Sequence, residues 1–251
     1  MPNQPYRLLA VYYDQFFEAH RAWLEGARRK ILGHILPRTS IACDLACGTG
    51  TTALVLARRG IKMSGVDAST SMCRIARKKA RRAGVNVQVL HADMRNFRLP
   101  EPVDLVTCEF DALNHVPRKQ DLDPVARAVA RALRPGGRFF FDVNTRRAFK
   151  KFWPSTWWGE RPGVAVCMHG GYDRHRDKGW SDVELFIRKG KLWQRARERV
   201  EEVAWTGAEI RRSLRSAGFD KIRAWDEAPF VRGEWKLPAG CRTIYLARKA
   251  T

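Results

Sequence analysis

Across residues 41–143, short runs of β-branched and aromatic residues alternate with longer runs whose apolar positions recur every three to four residues. That alternation predicts parallel strands joined by helices packed on both faces of a sheet. The strands fall at residues 40–45, 62–66, 85–91, 103–109 and 138–143. A helix opens near Thr51 and stops at Gly60, a residue suited to the left-handed backbone just past a helix end. A second starts at Ser69 or Thr70 and ends before Gly84. For the third, Asp123 suits the cap and Pro124 the first helical position, while Val125, Ala128, Val129, Ala132 and Leu133 share one face. Pro135-Gly136-Gly137 then breaks the run.

After Asn144 the pattern changes. Trp, Arg and Gly become frequent, and alternating runs at residues 163–168, 180–187 and 192–204 predict antiparallel strands. The helical pattern returns at Thr206, which forms a capping box with Glu209 ahead of Ile210, Leu214 and Ala217; Gly218 closes that helix. Strands at 221–225 and 242–247 complete the series. The expected fold is therefore α/β: a doubly wound, mostly parallel seven-stranded sheet of Rossmann-like type with an inserted antiparallel β cap. Residues 1–148 and 205–251 form one unit with an N-terminal helical lid, and residues 149–204 form the inserted cap.

A chain of 251 residues suits one such fold. The first seven residues lack the apolar core of a signal peptide, and no run approaches the ~20 apolar residues of a membrane span. A cytoplasmic protein without a membrane partner is expected. The six cysteines include no C-x-x-C pair, so they are expected reduced and mostly buried, and no metal site is expected. Charge changes the picture more. Lys and Arg outnumber Asp and Glu 47 to 26, giving +21. Such a field attracts nucleic acid and acidic small molecules. The densest cluster, Arg74, Arg77, Lys78, Lys79, Arg81 and Arg82, has helical spacing and equally suits a solvated outer face.

The chemistry-bearing motifs sit at predicted strand ends. Asp44-Leu45-Ala46-Cys47-Gly48-Thr49-Gly50 joins the first strand to a helix, and Gly48 and Gly50 let backbone approach a ligand closely. The run from Gly48 to Ala53 also fits the dinucleotide fingerprint, so alone it does not separate nicotinamide or flavin enzymes from other adenosine binders. Asp67, ending the second strand, is placed to accept from both hydroxyls of a ribose. Asp93, ending the third, is placed to accept from an adenine amino group. Either acid also suits a helix cap.

Asp44 to Gly50, Val66-Asp67-Ala68-Ser69-Thr70-Ser71-Met72, Ala92-Asp93-Met94-Arg95 and Arg134-Pro135-Gly136-Gly137 together resemble the class I S-adenosylmethionine-dependent methyltransferases. The resemblance spans roughly residues 12–143. It is strongest to the branch containing glycine N-methyltransferase and the aminosugar N,N-dimethyltransferases, through the segment around Ala22-Trp23-Leu24 and the strand end Cys108-Glu109-Phe110-Asp111-Ala112-Leu113-Asn114-His115. It implies S-adenosyl-L-methionine as cofactor. Asp44 would shape the glycine loop and, with the loop backbone of Ala46, Cys47 and Gly48, hold the methionine portion, with Gly50 also counted among the cofactor-binding residues. Asp67 would take the ribose, Ala68 and Met72 would flank the adenine, and Asp93 and Met94 would bind its edge. Glu109 and Phe110 would line the sulfonium.

Tyr12-Tyr13-Asp14 resembles the family's lid, in which an aromatic face meets the sulfonium with ~0.5–2 kcal/mol of cation–π stabilisation. Either tyrosine can be the cofactor-facing ring; Tyr13 is favoured, which leaves Tyr12 as a substrate contact. Methyl transfer mainly requires alignment. An oxygen nucleophile or an ammonium acceptor also requires a base, and His115 is the best-placed candidate, with Asp111 orienting a cationic amine. The segment 149–204 resembles the branch's cap; its His169 and Tyr172 are candidate substrate contacts among the aromatics. Three functions follow: methylation of a small molecule, with nitrogen the expected target; methylation of RNA, which the basic charge suggests; and cofactor binding without catalysis.

Overall fold

The computed structural model describes residues 6–231 and 237–251, apart from the side chains of residues 18–23. Ala22 and Trp23 of the resemblance therefore lie outside the described residues. Helix α1 (Tyr13–Leu32) follows a short 3-10 turn and leads into strand β1 (Ile41–Leu45). Four parallel partners come next: β2 (Lys62–Asp67), β3 (Val87–His91), β4 (Val103–Cys108) and β5 (Leu133–Asn144), separated by α2 (Thr51–Ala57), α3 (Thr70–Arg82) and α4 (Leu122–Ala132). After α5 (Arg146–Phe152), strands β6 (Thr156–Arg161), β7 (Val164–Asp173), β8 (Lys178–Lys189) and β9 (Leu192–Val203) form a separate antiparallel sheet in sequence order. Helix α6 (Gly207–Ser216) returns the chain to the main sheet, where β10 (Arg223–Asp226) and β11 (Arg242–Arg248) finish the order β10-β11-β5-β4-β1-β2-β3.

β11 runs antiparallel between β5 and β10. Both faces of the main sheet are covered, which explains why β1 and β4 read as nearly continuous apolar runs. One core layer joins α4 and α6 to the sheet through Val125, Val129, Phe139, Phe141, Ile210 and Leu214. The opposite layer packs Ala27, Ile31 and Leu32 of α1 against Leu105, Phe140 and Ile244.

Capping chemistry largely follows the sequence. Thr206 and Glu209 make the reciprocal capping box of α6, and Ser69 caps α3 by accepting from the Met72 N–H. The third inter-strand helix differs. It starts at Leu122, with Asp121 in the cap position, because a 3-10 turn over Lys119–Asp121 feeds directly into it. Asp123 and Pro124 sit inside the first turn, where a missing N–H leaves no helical bond unmade. Pro135-Gly136-Gly137 falls within β5 as an irregularity between the pairs Val103–Leu133 and Leu105–Arg138. The edge strand β6 is not among the predicted runs.

Five cysteines are buried, Cys167 is half-buried, and all six are free thiols. Among the described residues, no helix is long and apolar enough to cross a membrane.

Candidate active site

Strand order reverses between β1 and β4, since the chain proceeds from β1 outward to β3 and then returns to the other side of β1. A crevice opens at the carboxyl ends of strands at such a point. Here it is a cavity of about 280 Å³ lined from the strand ends by Leu45, Ala46, Gly48, Asp67, Asp93, Glu109 and Phe110. Ala68, Met72, Ala92 and Met94 supply apolar wall on the α3 side; Tyr6, Tyr13, His115 and Val116 close the opposite end. Ten of the thirteen residues expected to meet a cofactor therefore line one cavity: Tyr13, Ala46, Gly48, Asp67, Ala68, Met72, Asp93, Met94, Glu109 and Phe110.

The glycine loop owes its shape to three left-handed residues, Ala46, Gly48 and Gly50. Asp67 fixes it, accepting from the Gly48 N–H at 2.8 Å with one carboxylate oxygen and from the Ser69 N–H at 2.8 Å with the other. Asp44, Cys47 and Gly50 stand behind the wall. Asp44 accepts from the Thr107 hydroxyl at 2.8 Å, linking β1 to β4. The Cys47 sulfur packs over Gly65, 3.0 Å from where a β-carbon would stand, and Gly50 packs equally close to Ala76 of α3. These three shape the loop from beneath.

Two wall carboxylates have basic partners. Arg95 grips Asp93 with its Nε and one terminal nitrogen at 3.0 and 2.6 Å, and this pairing holds the Asp93 carboxyl below its usual range. Glu109 is buried and meets Arg28 of α1, which raises the guanidinium's affinity for its proton despite desolvation.

Beyond Glu109 the chain makes a strained corner. Phe110 and Asp111 have φ of 67° and 51°, a region unfavourable to side-chain-bearing residues. Asp142 at the end of β5 holds both, accepting from the Phe110 N–H at 2.6 Å and the Asp111 N–H at 2.9 Å. Arg242 of β11 bridges the Asp142 and Asp111 carboxylates at 2.6 and 2.8 Å. Asn114 pins the loop that follows, donating to the Val203 carbonyl at 2.8 Å and the Asn144 carbonyl at 3.0 Å. His115 is thereby fixed with its Nε2 3.2 Å from the Tyr6 hydroxyl. Burial pushes this imidazole down to about 4, so it is neutral at pH 7.

The N-terminal segment covers the cavity. Leu9, Tyr13 and Phe16 pack among Met72 of α3 and Val164, Val183 and Leu185 of the second sheet. Glu198 of β9 accepts from the Leu8 and Leu9 N–H groups, both at 3.1 Å. Asp14 accepts from the Thr49 hydroxyl at 2.6 Å and pairs with Lys79 at 2.7 Å, so the lid also touches the glycine loop.

The structure does not bring Tyr12, His169 or Tyr172 to the cavity wall. Tyr12 precedes α1 and packs at the edge of the lid cluster. His169 is exposed on β7, its Nδ1 2.9 Å from the Thr156 hydroxyl. Tyr172 donates to Asp177 at 2.8 Å, within a network that includes Arg146 and Lys119. Sequence reading passed over Tyr6, Arg28, Arg95, Asp142 and Arg242. Asp142 had a legible signal, an acid near the carboxyl end of the fifth strand; Arg28 and Arg242 pair across 81 and 100 residues and had none.

The chain is similar to known methyltransferases. A family model described as a methyltransferase domain matches residues 42–137. The ubiquinone biosynthesis O-methyltransferase of Pseudomonas fluorescens is 32% identical over 193 residues, covering 70% of this chain and 77% of that protein. Among solved structures, an S-adenosylmethionine-dependent methyltransferase from Clostridium acetobutylicum aligns with a TM-score of 0.80 at 23% identity, over 99% of this chain and 100% of that one. An amino pentose methyltransferase of calicheamicin biosynthesis from Micromonospora echinaspora aligns with a TM-score of 0.72 at 20% identity, covering 96% and 97%. These two likenesses establish a shared fold.

Proposed function

The chain belongs to the class I S-adenosylmethionine-dependent methyltransferases, and from that premise we propose that it methylates a nitrogen atom of a small molecule held between the strand ends and the second sheet. The observation that carries this reading is the closure of the cavity. At its acceptor end Tyr6 lies over His115, and the lid is held to β9 through Glu198. A base presented from a polynucleotide would have to displace that cover, whereas a small acceptor is enclosed by it. A sugar N-methyltransferase from Streptoalloteichus shares the fold, at a TM-score of 0.73 and 20% identity, which supports nitrogen as the target.

The lining fits the cofactor. Its carboxylates, Asp67, Asp93 and Glu109, offer acceptors for hydroxyl and amino donors, while Ala68, Met72, Ala92 and Met94 offer the apolar faces an adenine needs. When bound, S-adenosylmethionine supplies an electrophilic methyl group on a sulfonium. Asp67 takes the ribose, Asp93 and Met94 the adenine edge, and the backbone from Ala46 to Gly48 the methionine portion. Tyr13 and Phe110 put aromatic surface beside the positive sulfur. His115, held neutral with its Nε2 beside the Tyr6 hydroxyl, stands at the acceptor end, and Asp111 sets the charge around it. Residues 149–204 act as the cap that selects the acceptor, and residues 1–148 with 205–251 hold the cofactor.

The RNA reading rests on the exposed Arg74, Arg77, Lys78, Arg81 and Arg82 of α3. One experiment separates the two: methyl-labelled cofactor incubated with metabolite and RNA fractions. Label on nitrogen in the metabolite fraction supports the proposal; label confined to RNA, or on oxygen, overturns it.

A further inference from the structure

Behind the His115 end of the cavity, four buried carboxyls crowd around one guanidinium. Asp111, Asp142, Glu202 and Glu227 are all buried, each no more than 9% exposed. Arg242 lies among them and pairs with Asp111 and Asp142. Glu202, from β9, is 7% exposed, and its Oε2 has no hydrogen-bond partner among the described residues. Ligand atoms of Asp111, His115 and Glu202 all lie within 4.8 Å of one another, and His115 is itself part of the cavity wall. A buried carboxylate oxygen without a donor is costly unless something supplies one.

We propose that Glu202, together with Asp111 and His115, forms a subsite for a protonated primary or secondary amine, and that Glu202 accepts the proton that leaves before the nitrogen attacks. The inference rests on the nitrogen reading above and goes beyond it by assigning the residue that recognises and deprotonates the acceptor. One N–H of the ammonium passes its proton to Glu202 Oε2 and leaves a lone pair on nitrogen. That nitrogen forms the new bond to the methyl carbon as the carbon–sulfur bond breaks, and the bonding pair stays on sulfur. Positive charge moves from sulfur to the methylated nitrogen, and Glu202 ends protonated.

Charge balance favours an ammonium over a metal ion. Asp111 already shares the Arg242 guanidinium at 2.8 Å, so a dication would sit beside a fixed cation. A monocation with several N–H donors satisfies Glu202 and leaves the Arg242 pairs intact. The groups facing Glu202 are Asp111 and His115 after β4, Arg242 of β11 and Tyr6 of the lid. Burial and Asp111 raise the Glu202 carboxyl well above its usual range, which suits it to hold a proton.

The test uses the full chain saturated with S-adenosylhomocysteine and three probes read by calorimetry: cyclohexylamine, its neutral twin cyclohexanol, and Mn²⁺ alone. No turnover is needed, so a wrong methylated atom in the labelling experiment and a wrong subsite here fail separately. Expected is binding of the amine but not the alcohol, weakened about tenfold or more in Glu202→Gln and retained in Glu227→Gln, which removes a neighbouring buried carboxyl. Equal response to amine and alcohol in the unmodified protein overturns the proposal whether or not the variants fold. So does undiminished amine binding in folded Glu202→Gln, or stoichiometric Mn²⁺ binding that Glu202→Gln abolishes.

Discussion

Arg28 on α1 donates to both carboxylate oxygens of Glu109 at the end of β4, from Nε at 2.8 Å and a terminal nitrogen at 2.5 Å, with the Thr52 hydroxyl donating to the same carboxylate at 3.1 Å. Both charged side chains are buried. The pair joins the helix beneath the lid to the cavity wall. Removing one partner strands the other, so Arg28→Met is expected to lower unfolding free energy by about 3–5 kcal/mol. Replacing both, as Arg28→Met with Glu109→Leu, is expected to lose much less. Urea denaturation of the single and double variants measures the difference.

Glu198 is the second fastener of the cavity. Its carboxylate holds the Leu8 and Leu9 N–H groups, and nothing in its position touches the cavity wall. Glu198→Ala is expected to weaken cofactor binding about tenfold by loosening the lid, each charged hydrogen bond being worth about 1.5–3 kcal/mol. Faster amide exchange at Leu8 and Leu9 should accompany the loss.

Glu227 makes stability fall as pH rises. Burial pushes its carboxyl up to about 8 from an ordinary 4.5, and neither oxygen has a hydrogen-bond partner among the described residues. Between those values the folded chain holds a proton that the unfolded chain releases, so the stabilisation is full below about 4.5 and lost as pH climbs through 8. Glu227→Gln is expected to flatten the slope, retaining on the order of 3 kcal/mol at pH 8.5 relative to the unmodified protein. Asp142, raised to about 6, contributes in the same direction and remains in the variant. Thermal melts from pH 5 to 8.5 check this.

The main sheet was legible because each of its signals is local. A strand, a glycine turn and an acid at the strand end occupy a dozen neighbouring residues, and a parallel sheet brings the ends of successive strands to one edge whatever the details of packing. Gly48, Asp67 and Asp93 follow from that alone. The ion pairs that surround them do not. Arg28 meets Glu109 and Arg242 meets Asp142 only after helices and strands distant in sequence have packed. Tyr172 shows the converse: aromatic composition suggested a substrate contact, but its hydroxyl is directed to Asp177, five residues on. Asp123 lost the cap position to Asp121 because a 3-10 turn starts the helix earlier.

Asp67 sits at the centre of the account, holding the Gly48 and Ser69 N–H groups while lining the cavity. Titration calorimetry of S-adenosylmethionine into the unmodified chain and into Asp67→Ala tests it most directly. Binding at one site per chain is expected, weakened about a hundredfold in the variant, with the fold intact by circular dichroism. Absence of binding to the unmodified chain, or equal affinity in a folded Asp67→Ala, would contradict it.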